Sequence, residues 1–453
     1  MSLAAFRPSK DDVRALLRLA LPLVAVQVGQ TAMGLVDSAM VGHLSADAMA
    51  AVALGNIYSF SLLLFGMGIL LALDPLISQA VGAGDEPAVA RAMQRGIVLA
   101  LALSVPIALL HLPAEAVLRA AGQKESVVPA AGGFARASIA GIVPFLLVTV
   151  MRQALQARHR IRPILIAIVL ANLVNAGLDW VLIFGHLGMP SMGAVGSGWA
   201  TALSRWFLAF CIGALAWPEL RPHLRPWRRD TFELAAYGPL VALGLPIGFQ
   251  ILLEAGAFNV AGLVIGTMGA TQIDGHQIAL QLASLTFMVP LGFGIASSVL
   301  VGNAVGRADA AGARRAAGAG LLCGVGFMVT SAAALLAVPG LFAAGFTDDA
   351  AVLAVGVTLI PIAGIFQVFD GAQVVSSGIL RGAGESRIPA VANFLGYWVV
   401  GLPFGWWLTR RMGGDPAGMW WGLTLGLAAV ASLLAWRVRH ALRGDVRRVE
   451  GAA

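Results

Sequence analysis

Charge is what this chain has least of. Of its 453 residues 12% are Asp, Glu, Lys or Arg and 58% are hydrophobic, with a mean hydropathy of +0.84. A soluble domain of this length has no use for so much apolar surface, so the composition points to a polytopic membrane protein. Cysteine is nearly absent as well. Cys211 and Cys323 lie far apart inside apolar runs, which gives neither a disulfide framework nor a metal site. Tyrosine is scarce, and Tyr58, Tyr237 and Tyr397 are followed by Ser, Gly and Trp. GAGD at 82–85 has the shape used by membrane aspartyl proteases, but it falls in a loop and its Tyr-Asp partner motif is missing. The apolar runs do not alternate in polarity, which argues against a β-barrel. The basic start, MSLAAFRPSKDDVRALLR, has no short apolar core followed by a cleavage site. It reads as a cytoplasmic lead-in to the first span.

What is present is a series of twelve apolar segments. They lie near 14–38, 50–74, 93–112, 131–156, 162–186, 193–217, 236–266, 277–302, 315–338, 351–378, 388–409 and 417–438. With the N-terminus inside, 24 of the 30 Lys and Arg residues fall in inner loops and termini. Five are outside, at Arg119, Lys124, Arg136, Arg410 and Arg411, and Arg205 lies within the sixth span. This bias puts both termini in the cytoplasm, and the expected location is a bacterial-type inner (plasma) membrane. The net charge of +7 is therefore topological, and no nucleic-acid partner is expected.

The polar stretch PELRPHLRPWRRDTFELAAYGP divides the spans six and six. The expected layout is an N-lobe over 1–217, a linker over 218–235 and a C-lobe over 236–453. Residues 22–85 align without a gap onto 246–309, and 11 of the 64 positions are identical. The matches include Pro22 with Pro246, Gly42 with Gly266, Gly68 with Gly292, Gly82 with Gly306 and Asp85 with Asp309. Proline and glycine fix bends and close approaches, so shared positions imply shared backbone. Six spans is an even number, so the repeats should be parallel, with a cavity between them, as in transporters. The fold class expected is all-α: twelve transmembrane helices in two pseudo-symmetric six-helix lobes.

Five carboxylates interrupt the spans: Asp37, Asp74, Asp179, Glu254 and Asp370. Each costs roughly 2.5–3.5 kcal/mol near the centre of an isolated helix, so each needs a reason. Asp74 precedes Pro75 at the inner end of span two, where it is expected to reach water. In ANLVNAGLDW, Asn172, Asn175 and Asp179 recur at spacings of three and four, on one helix face. Amides beside a carboxylate suit a small hard cation or a proton relay, or else bonds that hold the bundle together. Gln250 and Glu254 share a face of span seven. Two ionisable sites are expected, one around Asp37 and Asp179, the other around Glu254 and Asp370.

The chain resembles the multidrug and toxic compound extrusion (MATE) transporters, of the NorM type. The resemblance rests on GLVDSAMVGHLSADAMAAVALG, LVNAGLDWVLIFG, GHQIALQ and FQVFD followed by SSGILRGAGESRIP. It implies efflux of organic cations and drugs coupled to inward movement of Na⁺ or H⁺, without a cofactor or enzymatic step. It also implies a C-lobe cation site at Glu254 and Asp370, and an N-lobe site at Asp37, Asn175, Asp179 and Thr201. Asp74 departs from the family pattern, where an uncharged residue is usual.

The acids outnumber the one cation within the spans, Arg205, so the expected cargo is a cationic, hydrophobic small molecule. Gln250, Phe287, Phe366, Trp398 and Trp406 are candidates to line its path, the aromatics through apolar and cation–π contact. Trp420 and Trp421, near the start of a span, read as interface anchors. His276 is expected to pack or hydrogen-bond at the start of span eight. A monomer working by alternating access is the simplest assembly, and the membrane potential adds about 2.3 kcal/mol per charge per 100 mV. The nearest rival is a lipid-linked oligosaccharide flippase of related fold, which would want a basic cavity where these spans carry acids.

Overall fold

The computed structural model describes residues 3–449. Twelve helical segments among them are long and apolar enough to cross a membrane, and we number these spans α1–α12. They are α1 Lys10–Gly42, α2 Ala46–Ala83, α3 Glu86–His111, α4 Val128–Ala157, α5 Arg162–Phe184 and α6 Gly193–Leu215. The second six are α7 Leu234–Gly266, α8 Ala270–Gly306, α9 Ala310–Ala337, α10 Ala350–Gly382, α11 Arg387–Arg411 and α12 Ala417–Ala441. No strand occurs among the described residues. The all-α, twelve-span architecture expected from the apolar runs is the one observed.

The helix starts are written in short polar side chains. Ser45 Oγ accepts from the Ala48 amide at 3.0 Å to open α2, and Asp85 Oδ1 accepts from Ala88 at 3.0 Å to open α3. Asp309 repeats the Asp85 cap at α9, accepting from Gly312 at 2.7 Å. Asp349 caps α10 and Asp415 caps α12 in the same way. Each such cap satisfies amides that a helix end leaves bare and is worth about 1 kcal/mol. The Asp of GAGD is thus a helix cap.

Three spans are interrupted. The regular α-helix of α2 ends at Leu70 and resumes at Leu73, α4 carries a 3₁₀ turn at Ile139–Gly141, and α11 is π-helical over Phe394–Gly401. Asp74 lies just past the break in α2 and is 3% exposed. The expectation that it reaches water is corrected: the restart of the helix turns it into the packed interior.

By packing, the chain forms two units, one of residues 25–248 and one of 3–24 with 249–449. The first part of α1 therefore groups with the second half of the chain, and 218–248 group with the first half. These limits differ from the division at 217 and 236 drawn from polarity alone. In the 25–248 unit, α6 packs against α5 and α4, and α2 against α4. In the other, α10 is central, packed on α8, α9 and α12. Its core is aromatic: Phe366, 1% exposed, meets Phe258 and Trp420 edge-on.

Candidate functional site

The site is built separately within each unit. In the 25–248 unit, α1 supplies Asp37, α5 supplies Asn175 and Asp179, and α6 supplies Thr201 and Arg205. Asn175 and Asp179 are fully buried and Asp37 is 6% exposed. Thr201 Oγ1 donates to Asp37 Oδ2 at 2.9 Å, and Asn175 and Asp179 complete the polar surroundings of that carboxylate. Asp37 Oδ1, both oxygens of Asp179 and both amide atoms of Asn175 lack a partner in hydrogen-bonding geometry among the described residues. Buried polar atoms are rarely left so, which makes this group of neighbouring side chains a candidate site.

Arg205 stands one helical turn from Thr201, and its charge acts on Asp37. Its guanidinium carbon is 5.1 Å from the centre of the Phe145 ring. The arginine stem passes Gly141, where a Cβ would lie 3.1 Å from Arg205 Cδ. Asn172, grouped with the site residues by its spacing, does something else. Its amide donates to Gly29 O at 3.0 Å and Ile168 O at 2.8 Å, tying α5 to α1.

In the second unit, α7 supplies Glu254, α10 supplies Asp370 and Gln373, and α11 supplies Asn393 and Tyr397. Glu254 and Asp370 are electrostatic neighbours, and the Tyr397 hydroxyl feels both. Asn393 Nδ2 donates to Glu254 Oε2 at 3.3 Å, while Gln373 Nε2 donates to Asn393 Oδ1 at 3.3 Å. The Tyr397 hydroxyl and Gln373 Oε1 are buried without a partner among the described residues. Gln373, Asn393 and Tyr397 were not marked by sequence reasoning. The available signal was the run of polar residues at the FQVFDGAQ and VANFLGYW turns of otherwise apolar spans.

The remaining candidates divide. Gln250 lies one turn before Glu254, 9% exposed, with Nε2 3.4 Å from Ser377 Oγ. Trp398 Nε1 donates to Leu253 O at 3.0 Å, and Phe287 is half-buried. Phe366 sits in the aromatic core, whereas Trp406 is exposed beneath the Arg410 guanidinium at 3.7 Å. Trp420 is not an interface anchor. It is 1% exposed, and its indole nitrogen donates to His276 Nδ1 at 3.2 Å. Trp421, next to it, is exposed.

A shallow, open groove of about 510 Å³ lies along the first part of α1, against Lys10, Arg14, Arg18 and Pro22 among others, and includes neither acid cluster. Among the described residues no three His, Cys, Asp or Glu side chains converge as a structural metal would require. A cation at either carboxylate pair would need amide and hydroxyl oxygens to complete its shell, and both clusters hold them.

The structure thus defines a class: a twelve-span membrane protein built as a tandem repeat, with buried carboxylates in each unit. The sequence model of the MatE family matches residues 22–181 and 246–407, one stretch in each repeat. The chain belongs to the MatE family, whose members are transporters and not enzymes. It is 37% identical over 440 residues to a probable multidrug resistance protein NorM of Mesorhizobium japonicum, covering 94% of each chain. It is 34% identical over 453 residues to the multidrug resistance protein PmpM of Pseudomonas aeruginosa, covering 97% of this chain and 94% of that one. The fold matches that of the eukaryotic MATE transporter AtDTX14 with a TM-score of 0.86 at 23% identity, over 96% of this chain and 98% of the other.

Proposed function

We propose that this protein is a secondary active multidrug efflux antiporter, exporting cationic hydrophobic small molecules in exchange for Na⁺ or H⁺ by alternating access. The observation that carries this reading is the pair of buried carboxylate clusters, Asp37 with Asp179 and Glu254 with Asp370, each beside neutral oxygen ligands with unmet hydrogen-bonding capacity. A charged carboxylate in the membrane interior demands compensation, which a drug cation, a proton or Na⁺ can each supply. Occupancy by one disfavours the others, and that exclusion is the basis of exchange. Gln250, Trp398 and Phe287 are the side chains assigned to the cargo's path. Both relatives compared carry multidrug resistance in their names, which supports the same cargo class here.

The protein would work as a monomer in a bacterial inner membrane with both termini in the cytoplasm, and needs no cofactor beyond its coupling ion. The test is dye efflux from proteoliposomes of the purified protein, with a Na⁺ gradient or a pH gradient imposed alone. Efflux driven by at least one gradient is expected. Dye movement indifferent to both would overturn the antiport reading.

A further inference from the structure

The stretch from the end of α6 into the first residues of α7, residues 216–236, has one side fixed and one side bare. The fixed side is held by Gln94 of α3, itself 1% exposed. Gln94 Nε2 donates to the carbonyls of His223 at 2.9 Å and Pro226 at 3.1 Å, and Oε1 accepts from the Arg228 amide and Thr231 Oγ1, both at 2.9 Å. Every donor and lone pair of that side chain is spent on this one segment. Thr231 is fully buried, Tyr237 donates to its carbonyl at 2.6 Å, and Arg158, just after α4, bonds both Glu86 and His223.

With that face fixed, the opposite face is set by the sequence. Trp217, Trp227, Phe232 and Leu234 are 41, 47, 65 and 87% exposed, and the Trp227 and Phe232 rings stack with centroids 6.1 Å apart. Exposed arginines stand among them. Arg228 is paired with Asp230 at 3.2 Å, whereas Arg221, Arg225 and Arg229 have no carboxylate at ion-pair distance among the described residues. Arg225 lies 5.9 Å from the Trp217 ring. The acids nearby are Glu219, half-buried, and Glu233, exposed. Arg160 and Arg162, exposed in the turn just after Arg158, extend the basic surface.

We propose that this bare face is a docking surface for anionic lipid. Trp227, Phe232 and Leu234 enter the boundary between headgroups and acyl chains, and Arg221, Arg225 and Arg229 engage lipid phosphates. The segment starts directly after one span and runs into the first residues of the next, so it runs along a membrane face. Aromatic and aliphatic side chains interleaved with arginine are the composition that lies in that interface. Guanidinium groups without a carboxylate partner have the geometry to fork onto phosphate oxygens.

Two measurements decide it, and neither uses transport, so the lipid site and the antiport reading fail separately. In a background with Cys211→Ser and Cys323→Ser, a nitroxide on Phe232→Cys in phosphatidylcholine/phosphatidylglycerol vesicles is expected to collide more with oxygen than with an aqueous nickel chelate. Dominance of the aqueous quencher overturns the insertion. In nanodiscs, adding phosphatidylglycerol to phosphatidylcholine is expected to raise the unfolding midpoint of the wild type, while inorganic phosphate does not. The triple variant Arg221→Gln, Arg225→Gln, Arg229→Gln should lose most of that rise while melting like the wild type in phosphatidylcholine alone. If the triple variant does not fold, Arg229→Gln by itself should lose part of the rise. An undiminished rise in the folded variant overturns the headgroup contact.

Discussion

Gly68 of α2 and Gly248 of α7 meet backbone to backbone: a Cβ on Gly68 would lie 2.3 Å from Gly248 Cα. In the other unit, a Cβ on Gly292 would lie 2.5 Å from Val24 Cγ2 and 3.0 Å from the Val24 amide nitrogen. The repeat offset of 224 carries Gly68 onto Gly292 and Val24 onto Gly248, so one contact is the copy of the other. Close backbone approach of this kind is how helices associate where lipid provides no hydrophobic drive.

Gly68→Ala should therefore destabilise the protein by about 1–3 kcal/mol, since the atom it strikes is backbone and has no rotamer to change. Gly292→Ala should cost less, because Val24 can move a methyl group. Gly34→Ala, in a helix with nothing within 4 Å of the new methyl, should be neutral or slightly stabilising. Thermal unfolding in detergent orders the three. A Gly68→Ala variant as stable as Gly34→Ala would contradict the contact.

Removing charge at the second-unit pair should stop coupling without unfolding the chain. Asp370→Asn and Glu254→Gln are each expected to abolish ion-driven dye efflux while membrane abundance stays at the wild-type level. Wild-type rates in energised vesicles from either variant would remove that residue from the mechanism.

Tyr397→Phe separates ligand from scaffold. The hydroxyl is buried, unpartnered among the described residues and beside both acids, so its loss breaks no bond seen here. Hydrogen bonds to charged groups are worth about 1.5–3 kcal/mol, so the coupling-ion concentration at half-maximal efflux should rise about tenfold or more. The unfolding midpoint should hardly move. Lost stability with unchanged ion dependence would make Tyr397 a packing residue only.

In the first unit, Thr201→Val strips Asp37 of its 2.9 Å donor, and Arg205→Gln removes the nearby fixed cation. Both should impair coupling, as should Asp37→Asn and Asp179→Asn. Arg205→Lys, keeping the charge, should retain more activity than Arg205→Gln. Equal efflux from the two Arg205 variants would show that its charge does not serve the site.

Much of this was legible in the sequence for a plain reason: a membrane span is long, and a charge within it is conspicuous. Asp37, Asp179, Glu254 and Asp370 stood out because nothing near them was charged, and the caps at Asp85 and Asp309 were foreshadowed by the repeat. Faces were harder. Phe366 lies among polar neighbours, Gln367 and Asp370, and Trp420 near the start of a span, so neither position revealed that both rings point into the core. The partner of Trp420, His276, is 144 residues away. Tyr397 was hidden for another reason. It lies in the π-helical stretch of α11, where the hydrogen bonds skip an extra residue and the 3.6-residue face no longer predicts direction.

The linker supplies a last expectation, in pH. His223 is outside the spans, and its imidazole is held below the ordinary histidine value near 6.5, first by burial and then by the Arg158 guanidinium, with Glu86 pulling the other way. The groups facing it are Arg158, just after α4, and Glu86 and Gln94 of α3, with Nε2 3.0 Å from Glu86 Oε2. A histidine lowered in the folded state binds its proton less readily there than in the detached segment. Its contribution is thus fully present above the ordinary value and declines as pH falls below it. Amide hydrogen exchange of residues 223–231, corrected for intrinsic rates, should accelerate between about pH 7.5 and about pH 5.5 as the proton competes with the packed arrangement. His223→Gln, which cannot titrate, should flatten that dependence while Gln94 keeps its bonds to the backbone. The same acceleration in the variant would place the pH response elsewhere on this face.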